Sequence, residues 1–372
     1  MHRRAPPRTT CATSIPNEFP RRLRGQVRSP RRLVVDLAAT APSWALPSWG
    51  EAAILSATPA DWDVRFIRDE TVSDGDGTGG VSPEALSAAA DAEIYFGHGL
   101  SPTLFAAAPR LRWVQTAAAG VASLLFPAMR ASDVKLTNSA GVMGDTIAEH
   151  VLGGVIYLLR SFDIAVRNQD RRHWDKLGFG AKATTIRELN ECRALIVGTG
   201  GLGAAIGWRF SVLGVRCVGV RRRPELGAPR GFDRVIGPDG LDAELLTADL
   251  AVLATPLTSG TARILTGARM DCVPPGAIVV NVARGALLDE TALTHRLERG
   301  SLRGAVLDVF REEPLPSSSP LWGLRQVLLT PHVAAISPRR FWERELELFL
   351  DNWVRYRRGD PLRNLVDKDA GY

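Results

Sequence analysis

The sequence predicts an α/β protein made of two doubly wound parallel-sheet domains, the second inserted into the chain of the first. Three observations carry this expectation. Short apolar runs of strand length alternate with helical segments along most of the chain, which implies parallel sheets covered on both faces. Near the middle, Leu195-Ile196-Val197 runs into Gly198-x-Gly200-x-x-Gly203 and then into a helical stretch ending near Leu213. The last strand stops near Thr330, and a final helix over 341–357, with apolar positions at helical spacing, is expected to return to the first domain and complete it.

Taken in order, the elements begin with a strand at 32–36. Strands at 63–67, 93–96, 111–115 and 134–138 continue the first unit, with helices over 83–90 and 102–107. The glycine-rich Asp74 to Gly80 reads as a flexible loop. A long helix is expected over about 145–168, then an irregular stretch over 174–183. Beyond the glycine motif, strands at 215–220, 250–254, 277–281, 304–307 and 327–330 complete the second sheet. The resulting division gives a basic leader over 1–32, a first domain from 33–138 and 331–372, and an inserted domain over 139–330. Hinges fall near Asn138 and Thr330-Pro331.

The strand, glycine turn and helix at 195–213 form the dinucleotide fingerprint of a Rossmann domain in its required context. One glycine permits the tight turn, the next lets backbone approach a pyrophosphate, and the third lets helix pack on strand. The helix N-terminus offers N–H groups and partial positive charge to the anion. Gly198, Gly200, Gly201, Leu202 and Gly203 are therefore the first cofactor-binding candidates. In a NAD-specific domain the second strand ends in an acid that accepts from the ribose 2′-hydroxyl. Here Arg221, followed by Arg222 and Arg223, takes that place. A cationic cluster suits a 2′-phosphate, so NADP is the preferred cofactor, with NAD the alternative.

The formal charge of +6 is unevenly distributed. Residues 1–32 hold nine arginines against the single acid Glu18, a net +8, which leaves the remainder at −2. Such a leader cannot bury a core and reads as disordered. A basic arm could touch an acidic surface, but no nucleic-acid partner is expected. No apolar run approaches the roughly 20 residues that span a bilayer, so no membrane partner is expected either. Cys11, Cys192, Cys217 and Cys272 are scattered, with no metal-ligand spacing. They read as reduced thiols of a cytoplasmic protein, and no metal is implied.

Three further segments carry chemistry. Asn281-Val282-Ala283-Arg284-Gly285-Ala286-Leu287-Leu288-Asp289-Glu290 is followed by Leu307-Asp308-Val309-Phe310-Arg311-Glu312-Glu313-Pro314 and then by Thr330-Pro331-His332. At this spacing downstream of the fingerprint, the chain resembles the D-2-hydroxyacid dehydrogenase family, with glyoxylate/hydroxypyruvate reductase-like features, from about residue 33 to Tyr372. The resemblance implies a flavodoxin-like substrate domain into which the Rossmann domain is inserted, with the active site between them. It implies hydride transfer between NAD(P)H and a small 2-oxo or D-2-hydroxy acid.

It also implies roles. Arg284 matches the arginine that binds the substrate carboxylate and carbonyl, for which a permanently charged planar fork is suited. His332 matches the acid/base, and Glu313 the carboxylate that pairs with it; neighbouring Glu312 is the rival for that pairing. Asp308 matches a residue holding the nicotinamide carboxamide. Ala119 and Gly120 fall where the family presents backbone N–H groups to the substrate carboxylate. Thr255, Pro256, Val282 and Ala283, with Arg284, Asp308 and His332, are expected along the cofactor. His98 could face the cleft, whereas His150 and His173 read as structural. Leu100, Leu124, Leu125 and Phe341, with Trp322 and Trp342, are candidates for the pocket wall. A homodimer is implied through the inserted domain and its long helix, with Val151, Ile156 and Leu159 partly buried between subunits. The alternatives are a nicotinamide-sensing corepressor-like protein, which the intact Arg284, Glu313 and His332 argue against, and a phosphoglycerate dehydrogenase-like enzyme without a regulatory domain.

Overall fold

The computed structural model describes Met1 and residues 31–72, 80–180 and 186–372. The leader beyond Met1 as far as Pro30, and all but Gly80 of the expected flexible loop, lie outside the described residues. The first sheet consists of β1 (Arg31–Asp36), β2 (Trp62–Phe66), β3 (Ala92–Gly97), β4 (Trp113–Thr116) and β5 (Lys135–Thr137). Its order is β2-β1-β3-β4-β5, parallel throughout. Strand β1 begins one residue earlier than the sequence suggests. Arg31 and Arg32, assigned to the leader on charge alone, are strand residues whose side chains donate to Glu93 at 2.9 Å and Asp63 at 2.8 Å.

Helices α1 (Ser48–Ala57), α2 (Pro83–Ala89), α3 (Pro102–Ala106) and α4 (Pro127–Arg130) connect these strands. The starts of α2 and α3 follow directly from sequence: Ser82 and Ser101 accept from the N–H three residues on, and proline fills the next position. Helix α1 is less legible because only Gly50 and Ile54 of it are buried. A side chain at Gly50 would meet Leu46 and Leu346 at 2.8 and 2.9 Å.

The chain then enters α5 (Gly144–Leu159) and α6 (Phe162–Asp170). The single helix expected over 145–168 is thus two. Ser161 adopts a left-handed conformation, φ 55°, between them. Arg303 holds the break by donating to Leu158 O and to Asp163 Oδ1, each at 2.6 Å, with both charged groups buried. The expected irregular stretch contains a short α7 (Leu177–Gly180), and residues 181–185 lie outside the described set.

The second sheet comprises β6 (Arg193–Val197), β7 (Arg216–Val220), β8 (Arg234–Ile236), β9 (Leu250–Leu253), β10 (Ile278–Asn281), β11 (Gly304–Leu307) and β12 (Val327–Leu329). Its order, β12-β11-β10-β9-β6-β7-β8, is parallel throughout and reverses direction between β6 and β9. Open α/β sheets bind ligands at the carboxyl ends of strands beside such a reversal. One face packs on α5 and α8 (Gly201–Val212) through Val155, Leu158, Ile206 and Phe210. The other face packs on α9 (Leu241–Leu245), α10 (Gly267–Cys272) and α11 (Glu290–Glu298) through Leu245, Met270, Leu293 and Leu297.

Val151 and Leu159 belong to the first of these cores, at 0% and 3% exposure. Buried within the subunit, they cannot form the face between subunits that the resemblance implied, whereas Ile156 is half-buried. The final helix, α12 (Pro338–Arg358), returns to the first sheet. Phe349 stacks on Phe96 at 4.2 Å and Trp353 meets Trp62 at 4.6 Å. Burying one such side chain fully contributes about 1.5–3 kcal/mol, so this aromatic row anchors the chain's last crossing. Leu124, Leu125 and Phe341, candidates for a pocket wall, are also core residues. Trp322 is exposed, with its indole N–H on Pro316 O at 2.9 Å.

Candidate active site

The glycine turn sits at the carboxyl end of β6. Gly198 has φ +100°, and a Cβ there would run into the Ala254 carbonyl of the neighbouring strand end. At Gly203 a Cβ would overlap the Gly198 carbonyl, so only glycine lets α8 pack this closely on β6. Gly200 caps α8, and a Cβ on it would meet no protein atom within 4 Å. That combination of open space at the cap and a glycine-tight turn behind it fits a dinucleotide pyrophosphate. Gly201 and Leu202 open the helix. Thr255 and Pro256 follow β9 on the same side of the sheet, and Val282 and Ala283 follow β10.

At the end of β7, Arg221 donates from Nη1 to Gly227 O at 3.3 Å. Arg222 is exposed and lies over the Tyr372 ring at 5.1 Å. The two nearest cations of the cluster therefore flank the strand end where a ribose would rest, one folded onto the 224–227 turn and one on the C-terminal segment.

Beyond β10 the turn is built by Asn281, fully buried, which donates to Arg284 O at 2.9 Å and accepts from Ala283 N at 3.2 Å. Arg284 donates from Nη1 to Ala283 O at 2.7 Å, and its Nη2 occupies the space that a Cβ on Gly120 would need. A guanidinium from the second sheet thereby reaches the Ala119-Gly120 turn of the first. That turn is held by Ser139 N on Ala118 O at 3.0 Å and by Asn138 Nδ2 on Ala119 O at 2.8 Å.

His332 follows β12 in a left-handed conformation, φ 55°. Its Nδ1 lies 2.8 Å from Glu313 Oε2, and the other oxygen of Glu313 accepts from Phe310 N at 2.7 Å. Glu313, not Glu312, makes this contact. Both side chains remain partly open to solvent, at 29% for His332 and 35% for Glu313. Asp308, by contrast, is 2% exposed and engaged on every side. Its Oδ1 accepts from Thr330 Oγ1 at 2.6 Å and from Val333 N at 2.9 Å, its Oδ2 accepts from Ala334 N at 2.9 Å, and its carbonyl accepts from His332 N at 2.9 Å. The carboxylate that the resemblance places at a nicotinamide carboxamide also anchors the loop that carries His332.

Asn281 and Thr330 were not singled out by sequence, although both lie inside the motifs that identified Arg284 and His332. His150 reaches Thr330 Oγ1 at 3.2 Å from α5. His98 is buried beside Trp342, with ring centres 6.3 Å apart, and His173 is exposed. Among the described residues no group of His, Cys and acids could hold a metal ion, and no helix is long and apolar enough to cross a membrane.

A strand-turn-helix cradle for a dinucleotide, facing an Arg, His and Glu set from the same sheet, defines a nicotinamide-type dehydrogenase site. The family profile described as D-isomer specific 2-hydroxyacid dehydrogenase, NAD binding domain, matches residues 152–334. Glyoxylate/hydroxypyruvate reductase A of Salmonella newport (strain SL254) is 30% identical over 279 residues, covering 73% of this chain and 85% of that protein. The chain belongs to the D-isomer specific 2-hydroxyacid dehydrogenase family. A solved family member from Aeromonas salmonicida is 30% identical with a TM-score of 0.74, covering 92% of this chain and all of that one. The NADPH-dependent glyoxylate/hydroxypyruvate reductase of Sinorhizobium meliloti, solved with NADP and sulfate, is 26% identical with a TM-score of 0.73 over the same shares.

Proposed function

We propose that the chain reduces small 2-oxo acids, of the glyoxylate or hydroxypyruvate class, to D-2-hydroxy acids with NADPH. The observation that carries this reading is the 2.8 Å contact between His332 and Glu313, in a site where Arg284 reaches Gly120. A bound dihydronicotinamide would supply the hydride to the carbonyl carbon. Arg284 grips the substrate carboxylate and polarises its carbonyl, and the Ala119-Gly120 backbone completes the carboxylate seat. Glu313 accepts from Nδ1–H of His332, which fixes the ring and leaves Nε2 to deliver a proton to the forming alkoxide. Asp308 acts as a positioning residue, because its carboxylate already takes three donors from residues 330–334.

The cofactor is held along Gly198 to Gly203, beside Thr255, Pro256, Val282 and Ala283, with its 2′-phosphate at Arg221 and Arg222. Relatives support the phosphate-bearing form. One from Xanthobacter autotrophicus, 29% identical with a TM-score of 0.73, was solved with NADPH. Residues 33–138 with 331–372 serve as the substrate domain and 139–330 as the cofactor domain. Exposed Phe162, Val166, Trp174 and Leu177, close together along the chain, are the apolar surface on which a homodimer would form. The setting is cytoplasmic, consistent with buried thiols at Cys192 and Cys217 that burial pushes up to about 11 and about 12.

Steady-state kinetics with NADPH and NADH at fixed glyoxylate test the reading. A charge-assisted bond to the 2′-phosphate contributes about 1.5–3 kcal/mol, so kcat/KM favours NADPH by about tenfold or more. Arg221→Asp removes a cation and offers an acceptor to a ribose hydroxyl, and the preference moves at least about tenfold toward NADH. A parent enzyme that prefers NADH contradicts the cofactor assignment, and no turnover with either contradicts the whole reading.

A further inference from the structure

Beneath the Ala119-Gly120 turn lies a buried polar cluster that the proposed chemistry does not use. Glu345, on the inner face of α12, is 0% exposed. Gln115, near the end of β4, donates from Nε2 to Glu345 Oε1 at 3.1 Å and to Thr116 O at 3.3 Å. Thr137 of β5 donates to Gln115 Oε1 at 2.6 Å, and Trp113 donates to Thr137 at 2.7 Å. From the other side, Ser139 Oγ donates to Thr116 O at 2.8 Å. Thr116 Oγ1 in turn donates to His98 O at 2.7 Å and accepts from Ala118 N at 3.2 Å. The carboxyl therefore sits where the ends of β4 and β5 lead into the two segments that hold the turn, 116–120 and 138–139.

Stability alone does not account for a carboxyl here. Apart from Asn352, whose amide is bonded to Arg363 at both ends, the other buried residues of α12 are Phe341, Trp342, Leu346, Leu348, Phe349 and Trp353. A buried polar group is costly unless its partners are in place, and an apolar residue of similar volume would avoid the cost. One oxygen, Oε2, has no hydrogen-bond partner among the described residues. Burial pushes the carboxyl up to about 7, against the pull of Ser139 and Gln115. The group accepts from Gln115 through Oε1, while the Ser139 hydroxyl is spent on Thr116 O.

We propose that Glu345 is a positioning residue for the substrate-carboxylate turn: through Gln115, which also donates to Thr116 O, it fixes residues 116–120, so that α12 sets the seat facing Arg284. This rests on the reading that the turn receives the substrate carboxylate. The polar tie gives the rigid helix a hold on a loop that is otherwise tied to the hinge at 138–139 through Ser139 N, Asn138 Nδ2 and Ser139 Oγ.

Two variants of the full chain test it. Glu345→Met fills the space without the polar link, whereas Glu345→Gln keeps an acceptor for Gln115. The expected result for Glu345→Met is a rise of about tenfold in KM for hydroxypyruvate, the equivalent of one lost hydrogen bond, with KM for NADPH unchanged. Amide exchange speeds up in a peptide covering 116–121 and stays parental over 195–206, and Glu345→Gln restores both. Should Glu345→Met not fold, Gln115→Leu removes the same tie from the other end and shows the same pair of changes. Parental KM and parental exchange in the variant that lacks the link overturn the proposal, as does a Gln variant as impaired as Met. A parent enzyme inactive on every 2-oxo acid would remove the functional reading, and the exchange measurement would then decide the positioning role by itself.

Discussion

His332→Ala lowers kcat by roughly 10²–10⁴-fold, the usual contribution of a positioned general acid. NADPH affinity, measured by fluorescence titration, stays near that of the parent. The separation follows from geometry. The ring is held through Nδ1 by Glu313 at 2.8 Å, while the loop that carries it is pinned by Asp308 through backbone donors that alanine retains. Glu313→Gln leaves an acceptor for the ring and falls between the parent and the alanine variant. Equal losses in kcat and in cofactor binding would show that the substitution had disturbed the loop, and His332 would lose its assignment as the acid.

Arg284→Gln produces the second large effect, on the substrate side. Two charge-assisted contacts of about 1.5–3 kcal/mol each are at stake, so kcat/KM for the 2-oxo acid falls by roughly 10²–10⁴-fold. KM rises because the carboxylate loses its counter-charge, and kcat falls because the carbonyl loses polarisation in the transition state. Arg284→Lys keeps the charge but loses the planar fork, and recovers only part of the activity. A variant with parental KM would mean that the guanidinium seen at Gly120 supports the turn and does not bind substrate.

The legible parts of the chain were those whose cause is local. Strand length and alternation placed the strands of the first sheet, and a tight turn between strand and helix placed the cofactor cradle. The helices expected over 83–90 and 102–107 match α2 and α3 to within a residue, each starting at a serine cap and a proline. Arg284, Glu313 and His332 were legible because three motifs stand in one order, and the contact distance then distinguishes Glu313 from Glu312. What escaped depends on residues far apart in sequence. The apolar period runs through Ser161 without interruption, yet the helix breaks there because Arg303, 140 residues beyond Asp163, captures the exposed carbonyl and the acid. The resemblance implied Val151 and Leu159 at a subunit face, but they are claimed by the chain's own second sheet. Asp308 stands where the resemblance implies a cofactor contact, and only the return of residues 330–334 shows that its carboxylate also holds that loop. Glu345 is an ordinary acid on an amphipathic helix until Gln115, 230 residues earlier, is seen to meet it.

The most direct test of the account is the product itself. The purified chain is given hydroxypyruvate and NADPH, and the glycerate formed is resolved by chiral chromatography while NADPH oxidation is followed by absorbance. The account predicts D-glycerate in stoichiometric amount with the NADPH consumed. L-glycerate, or no oxidation of NADPH with any small 2-oxo acid, would contradict it.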